Sequence, residues 1–495
     1  MSLRASPSSG PMTRRGFLIG LGTSVGATAL LAACGSGGSA ASTSSAAGST
    51  SAAGSTSAAS TTSAAGSANA LASTPTPLPN AKPTPTPLPT PVALAKGTGS
   101  KSVLIWHNYT QQGYIAFSKL IDDFVSANPG YKVNAEYQPT ASGSQENQKL
   151  ITAIAGGHPP DVAEFDRFIV GSFAFRGALN DISSMAAQAK ITKADYLPFA
   201  WDEASLNGKL YALPIDTDAR ALYYRKDYFQ TAGITPPLTP TDLSAAAEKL
   251  TTKSGTGFSR LGLIPNMDQG QLYTWGWVWG GSFYDQTTKK VTASDPKIVE
   301  ALTWMVSFAK KYGEEQMVGF QSAFGQGAQS PFLAGLVAMD PNGNWNMTTI
   351  KQYAPTLDYG IIAFPHPSGV KPTTWSGGWS WTIPTGSKHV ADGFALASFI
   401  TNEKEMTQWA TENQTFPVRL KPLTDPVFSQ GNQKLFSDLL PNSHNRPVIP
   451  EGNMLWDSLA TATSNALYGK VSPLDALTAV DTQVNAQLQK DGWFK

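Results

Sequence analysis

The chain has 495 residues, 41% of them hydrophobic, and Lys plus Arg (36) almost matches Asp plus Glu (35). That balance excludes a broad basic field for nucleic acid or anionic lipid, and a single cysteine, Cys34, excludes a disulfide framework. The 13 tryptophans all lie beyond residue 100 and point to a large core there.

From the N-terminus, Thr13-Arg14-Arg15-Gly16-Phe17-Leu18 looks like a twin-arginine export motif. The apolar run 17–33 that follows is short of the ~20 residues a membrane span needs. It ends at Leu31-Ala32-Ala33-Cys34, which resembles a lipobox, whose cysteine carries lipid after cleavage. Together these predict a signal peptide over 1–34 and an exported chain held by lipid on Cys34 to the outer face of the cytoplasmic membrane. Residues 35–99 read as a tether. Residues 35–73 are almost only Ser, Ala, Gly and Thr, too poor in large apolar groups to offset the entropy of ordering. Residues 74–91 repeat Thr-Pro and Leu-Pro, which favours a polyproline II spacer of roughly 55 Å. A proline-rich docking motif is the alternative reading of that repeat.

Beyond residue 100 the pattern becomes alternating strands and helices. Val103-Leu104-Ile105-Trp106 is a continuous apolar run, as in a buried parallel strand, and Phe117, Leu120, Ile121 and Phe124 recur at helical spacing until Asn128-Pro129-Gly130. Tyr131, Val133, Ala135 and Tyr137 alternate as a strand. A helix carrying Leu150, Ile151 and Ile154 breaks at Gly156-Gly157, and a strand follows near residues 161–165. This order predicts an α/β sheet that binds ligands outside the carboxyl ends of its strands. Asp295-Pro296 starts a helix with Val299, Leu302, Val306 and Ala309 on its buried stripe and Gly313 at its end. Ser472-Pro473-Leu474-Asp475 caps the last helix, with Leu477, Val480, Val484 and Leu488 on one face.

The segment 208–227, GKLYALPIDTDARALYYRKD, resembles the "GKLYGLPxDTDxRxLYYNKDLF" stretch of the family 1 extracellular solute-binding proteins, the sugar-capturing subunits of bacterial ABC importers. Residues 149–162 are similar to the family's "KLxxAIAxGxPPDV". Leu333 to Met339 with Gly343-Asn344-Trp345 resemble its "xxGxxAMxxxGxW", and Gly377-Gly378-Trp379 with Ile383-Pro384 its "GGWxxxIP". Leu467-Tyr468-Gly469-Lys470 before Pro473 resembles its closing motif. Arg225 departs from the pattern, which often has Asn there. The likeness spans residues 100–495 and implies a two-lobed α/β periplasmic-binding-protein fold of type II, hinged at crossings near Asp216, Trp375 and Phe416. One lobe would combine residues 100–216 with 377–415, the other 217–376 with 417–495.

A sugar needs hydrogen-bonding groups for its hydroxyls and flat aromatic surfaces for its C–H faces. The resemblance to maltose-binding-protein-like members implies stacking platforms at Trp345 and Trp456 and ligand carboxylates at Asp166 and Asp218. Trp379, after two glycines at a crossing, is a third candidate platform. His107, Asn108 and Gln111 follow the first strand at its ligand-facing end, although His107 also reads as a core histidine. The resemblance favours a helix whose start, near Asp268 and Gln269, faces the ligand, with Gln269 and Trp275 as candidates. In a strand Trp275, Trp277 and Trp279 share a face, whereas in a helix Trp275 and Trp279 share one and Trp277 points away; core packing is the competing reading for all three. The family implies no cofactor and no catalytic residue, a monomer, a permease partner and a sugar or oligosaccharide ligand. A polyol-like solute such as glycerol phosphate is the alternative.

Three other chemistries fit less well. Asp216 and Asp218, at i and i+2 on an extended segment, lie about 7 Å apart on one side, within the range of an inverting glycosidase pair, but no further acid–base element accompanies them. Tyr223-Tyr224 matches the adjacent tyrosines of ferric-ion-binding proteins, yet successive strand side chains point to opposite faces, and five dispersed histidines make no metal cluster. An adhesin would explain anchor and tether but not the two-lobed pattern. Cys34→Ser is expected to abolish lipid attachment. Membrane fractionation with radiolabelled fatty acid checks this, and continued label in the mutant would sink it.

Overall fold

The computed structural model describes residues 93–139, 148–325 and 327–494. The export motif, Cys34 and the spacer up to residue 92 lie outside the described residues. Among the described residues no helix is long and apolar enough to cross a membrane.

The first sheet runs, edge to edge, Leu94–Lys96, Tyr131–Tyr137, Lys101–His107, Val162–Asp166, Trp379–Thr382 and Ala212–Pro214. The three strands read from the sequence pair parallel in the middle, and the others add antiparallel at the sides. Val103, Ile105, Val133, Ala135, Val162 and Phe165 are buried between helices, as the apolar runs require of a sheet covered on both faces. The helix Gln111–Ala127 turns Phe117, Leu120, Ile121 and Phe124 onto it. One boundary differs from the sequence reading: residues 94–96 belong to the fold, not to the tether. Leu94 pairs with Ala135 and packs against the core, because an extended segment beside an open strand edge gains ladder hydrogen bonds that a polar spacer lacks.

The second sheet runs Thr252–Ser254, Gly257–Leu263, Val337–Gly343, Arg220–Arg225 and Tyr359–Ile362. Its core gathers Leu261, Leu263 and Met339 with two capped helices. Asp295 accepts from Lys297 N at 2.8 Å to start Pro296–Tyr312, and Ser472 accepts from Asp475 N to start Pro473–Lys490. The stripe of the former centres on Ile298, Leu302, Met305 and Ala309, with Val299 at its margin. Tyr223 and Tyr224 point to opposite faces. Tyr223 joins a third core with Phe332, Phe416 and Phe436 on the far face of the sheet, and Tyr224 packs on Phe229.

Three chain crossings connect the lobes. Phe416 and Pro417 pair antiparallel with Thr217 and Asp216, and residues 375–379 run alongside. Arg167, wholly buried, ties the crossings together. Its Nε donates to Glu203 Oε2 at 3.0 Å, and its two Nη groups donate to the carbonyl oxygens of Asp216 and Gly377. The Asp216 carboxylate accepts from Trp379 N at 2.9 Å and Trp409 Nε1 at 2.8 Å. Burial pushes that carboxyl up to about 6, with the two donors pulling against it.

Gly378 holds φ +134°, and a Cβ there would stand 2.1 Å from Arg167 Nη1 and 2.3 Å from Asp216 O. Gly378→Ala therefore meets both backbone strain and the arginine knot, whereas Gly208→Ala, at φ +77° with nothing within 4 Å, meets strain alone. Urea unfolding is expected to show a loss above about 2 kcal/mol for Gly378→Ala and about 1 kcal/mol for Gly208→Ala. Equal losses would mean that the knot yields freely.

Candidate ligand-binding site

The first-lobe wall is built where the strand Val162–Asp166 ends. Asp166 accepts from Phe168 N at 3.3 Å, capping the turn Arg167–Ile169, and sits opposite Trp379 in the antiparallel ladder. Its Oδ1 also accepts from Arg446 Nη2 at 2.7 Å, although Arg446 belongs to a second-lobe segment. That guanidinium lies 3.8 Å from the centre of the Phe168 ring and 5.5 Å from that of Trp456. Burial works against the charge on Arg446, but Asp166 and Glu203 outweigh it and raise its pKa. Its Nε is buried without a partner among the described residues.

The second-lobe wall begins two residues past the first crossing. Asp218 Oδ1 accepts from Gly377 N at 2.6 Å and pairs with Arg220 Nη1. Arg220 Nε donates to Gln269 Oε1 at 3.3 Å, and its guanidinium lies 3.7 Å from the Trp375 ring centre and 5.2 Å from that of Trp345. Burial lowers the Arg220 pKa to about 10, with Asp218 opposing, so it stays charged at neutral pH. Trp375 donates its indole N–H to Thr274 Oγ1 at 2.7 Å, which fixes the ring. Trp345 folds back over Gly343, where a Cβ would strike its ring at 2.0 Å, so glycine at that position is what lets the ring lie there. Asn344 anchors the turn by accepting from Ala219 N at 2.9 Å.

Asp166, Asp218, Gln269, Trp345 and Trp456 are thus linked through Arg220, Trp375 and Arg446 into one run of rings, guanidiniums and carboxylates spanning both lobes. Trp379 flanks it beside Asp166. Arg220, Trp375 and Arg446 are buried and hold the run together, while the half-buried Asp166, Gln269, Trp345, Trp379 and Trp456 can offer flat faces to C–H groups and directed polar groups to hydroxyls.

Four candidate residues are elsewhere. His107, 1% exposed, is enclosed by Tyr109, Tyr114, Phe117 and Tyr137; its Nδ1 accepts from Tyr109 N, and burial lowers its pKa to about 4. It is a neutral core histidine. Trp275 is likewise core: its indole N–H donates to Pro265 O and Gly270 O, both at 2.9 Å, and its ring packs on Trp279, Trp304 and Phe364. The helix Leu272–Val278 instead turns Tyr273 and Trp277 toward Trp375. Asn108 gives its backbone N–H to Glu164, and Gln111 is exposed at the start of its helix; neither touches the run.

Sequence reasoning passed over Arg220, Trp375, Arg446, Phe168 and Tyr273. Arg220 carried a signal, since it stands at i+2 from Asp218 within the quoted family stretch and so shares its side of the strand. Arg446 carried none.

Residues 107–407 match the model of the bacterial extracellular solute-binding protein family. The chain belongs to that family. A Brucella abortus binding protein is 28% identical over 384 residues, 76% of this chain and 90% of that one. The maltooligosaccharide ABC transporter solute-binding lipoprotein of Streptococcus pneumoniae is 24% identical over 407 residues, 78% of this chain and 89% of that one. Among solved structures, CpMnBP1 with mannobiose bound superposes with a TM-score of 0.70 at 24% identity, covering 77% of this chain and 98% of that one. The solute-binding protein described here therefore has the two-lobed α/β fold of maltose-binding-protein-like members.

A second contact also spans its lobes. Arg176 in the first pairs with Glu451 in the second and donates to Pro450 O at 2.7 Å. Burial raises the Glu451 carboxyl to about 7; Arg176 opposes the shift and Asp491 adds to it. The folded value lies above the ordinary 4.5, so the folded state holds this proton more tightly than the unfolded chain. Its contribution to stability falls as pH rises from about 4.5 to 7. Glu451→Gln is expected to reduce the fall of Tm across that window in thermal melts. An unchanged slope would place the titration on other groups.

Proposed function

We propose that this chain is the lipid-anchored, extracellular substrate-binding subunit of an ABC importer, and that it captures a sugar or oligosaccharide between its lobes and delivers it to a membrane permease. The observation that carries the reading is the run from Asp166 and Arg446 through Trp375 and Arg220 to Trp345, because it takes residues from both lobes and pairs aromatic faces with bidentate polar groups. The saccharides named with its relatives support the ligand class. Anchoring through Cys34 and the permease partnership rest on the N-terminal motifs and on membership of the family.

The way the acids are used supports binding without turnover. Asp216 has both oxygens engaged, by Trp379 and Trp409, and Asp218 gives one oxygen to Gly377 and Arg220. Asp166 lies on one lobe and Asp218, Trp345 and Trp456 on the other, so a ligand touching all of them favours the closed arrangement. A phosphorylated polyol is the second reading, favoured by the two guanidiniums and by the unpartnered Arg446 Nε.

Trp345→Ala is expected to cost ~2 kcal/mol of binding, about 30-fold in Kd, with the fold intact. Calorimetry against maltotriose, mannobiose and glycerol 3-phosphate measures it, and product analysis of the same mixtures tests for turnover. Unchanged affinity would return Trp345 to a packing role, and released monosaccharide would make the protein an enzyme.

A further inference from the structure

A second cavity, of about 630 Å³, lies between the lobes and shares no lining residue with the site described above. Its first-lobe wall is the turn around Ser205 and Asn207. Its second-lobe wall is the hairpin Tyr284–Asp285 and Lys290–Val291, the strand Ser443–His444 and Trp493. Trp277 also lines it, stacked on His444 with ring planes 2° apart and centroids 5.4 Å apart. Trp277 in turn touches Trp375, the ring beneath Arg220 and Arg446, at 6.0 Å. One layer of aromatic rings therefore stands between the two places.

The chemistry of the lining is specific. The volume falls in the range of small-molecule sites, about 300–1,000 Å³. Of its two charged groups, Asp202 is paired with Lys193 at 2.6 Å, and the Lys289 ammonium lies 5.8 Å from the centre of the Trp493 ring. Packing against Trp277 accompanies a lowered His444 pKa, with burial of the ring as its cause. What remains are carboxamides at Asn207, Gln286 and Asn445, the indole of Trp493 held by its N–H on Tyr284 Oη at 3.0 Å, and Ser443. Ser443 Oγ is buried and has no hydrogen-bond partner among the described residues. A buried hydroxyl in that state is costly unless something polar reaches it. Amide and hydroxyl groups beside flat rings recognise hydroxyls and C–H faces.

We propose that this cavity is a second solute site, separate from the Trp345 site, for a neutral hydroxyl-rich molecule of mono- to disaccharide size. Trp493 forms its platform, and Asn207, Gln286 and Ser443 provide its polar contacts.

The test uses the full chain labelled with 5-fluorotryptophan and followed by fluorine NMR during titration with glucose, trehalose and maltose. Trp493→Phe and Trp345→Phe assign the two reporter signals. The Trp493 signal is expected to shift saturably with at least one probe, and to do so equally in Trp345→Ala. Gln286→Ala combined with Asn207→Gly, which keeps the left-handed backbone at φ 51°, is expected to weaken that shift at least tenfold while leaving the response at Trp345 intact. Two outcomes would overturn the proposal: a Trp493 signal that no probe moves, or one whose shift disappears with Trp345→Ala. Silence at Trp345 alone would count against the proposed function and not against this site, since each signal is read separately.

Discussion

A guanidinium with no exposed surface sits where the chain passes between lobes, and the geometry of the molecule depends on how it is satisfied. Arg167 gives one donor to Glu203 and the others to carbonyls on two different crossings, at Asp216 and Gly377. Removing one partner of a buried ion pair typically costs about 3–5 kcal/mol, because the remaining charge stays out of water. The crossings are thus held at the spacing that one planar fork allows. Burial also raises the Glu203 carboxyl, with Arg167 opposing, so the pair is held by its hydrogen bonds and not by cheap desolvation. Asp216 extends the same knot to the third crossing by pairing with Pro417, and its carboxylate also accepts from Trp409.

The binding surface inherits its register from that knot. Asp218 lies two residues beyond Asp216, and Gly377, whose carbonyl Arg167 holds, gives its N–H to Asp218. One peptide segment therefore serves the knot on one side and the site on the other. Arg220 and Arg446 then lie against aromatic rings, an arrangement in which a cation is attracted to the ring face and its donors keep a fixed direction. Directed, already ordered donors lower the entropy that a ligand must lose on binding. The carboxylates beside them keep the charges balanced, which suits a solute carrying hydroxyls.

The elements that depend on near neighbours were legible in the chain. The parallel strands around Val103, Val133 and Val162, the Asp295 and Ser472 caps and the opposed Tyr223 and Tyr224 all follow from period and capping chemistry. The tryptophan triplet shows where that reading stops. The spacing alone allows a strand with all three on one face or a helix with Trp277 apart, and it does not say which face meets the core. Trp275 is held in the core by its indole N–H on the carbonyls of Pro265 and Gly270, while Trp277, also buried, packs toward Trp375. His107 went the same way, drawn into a nest of rings that only folding assembles.

By itself, then, the sequence determined the first strands and helices, the two capped helices and the family, since these are written in motifs and in periods of two and 3.6 residues. Only the tertiary structure decided the partners across the cleft. Arg446 reaches Asp166 across 280 positions of sequence, in a segment with no motif and no periodic signal. Its place is set by the pairing of Ser443–His444 with Thr374–Trp375 and by the arginine knot behind them. Contacts between distant segments follow from how whole lobes are held relative to one another, and local side-chain pattern does not encode that.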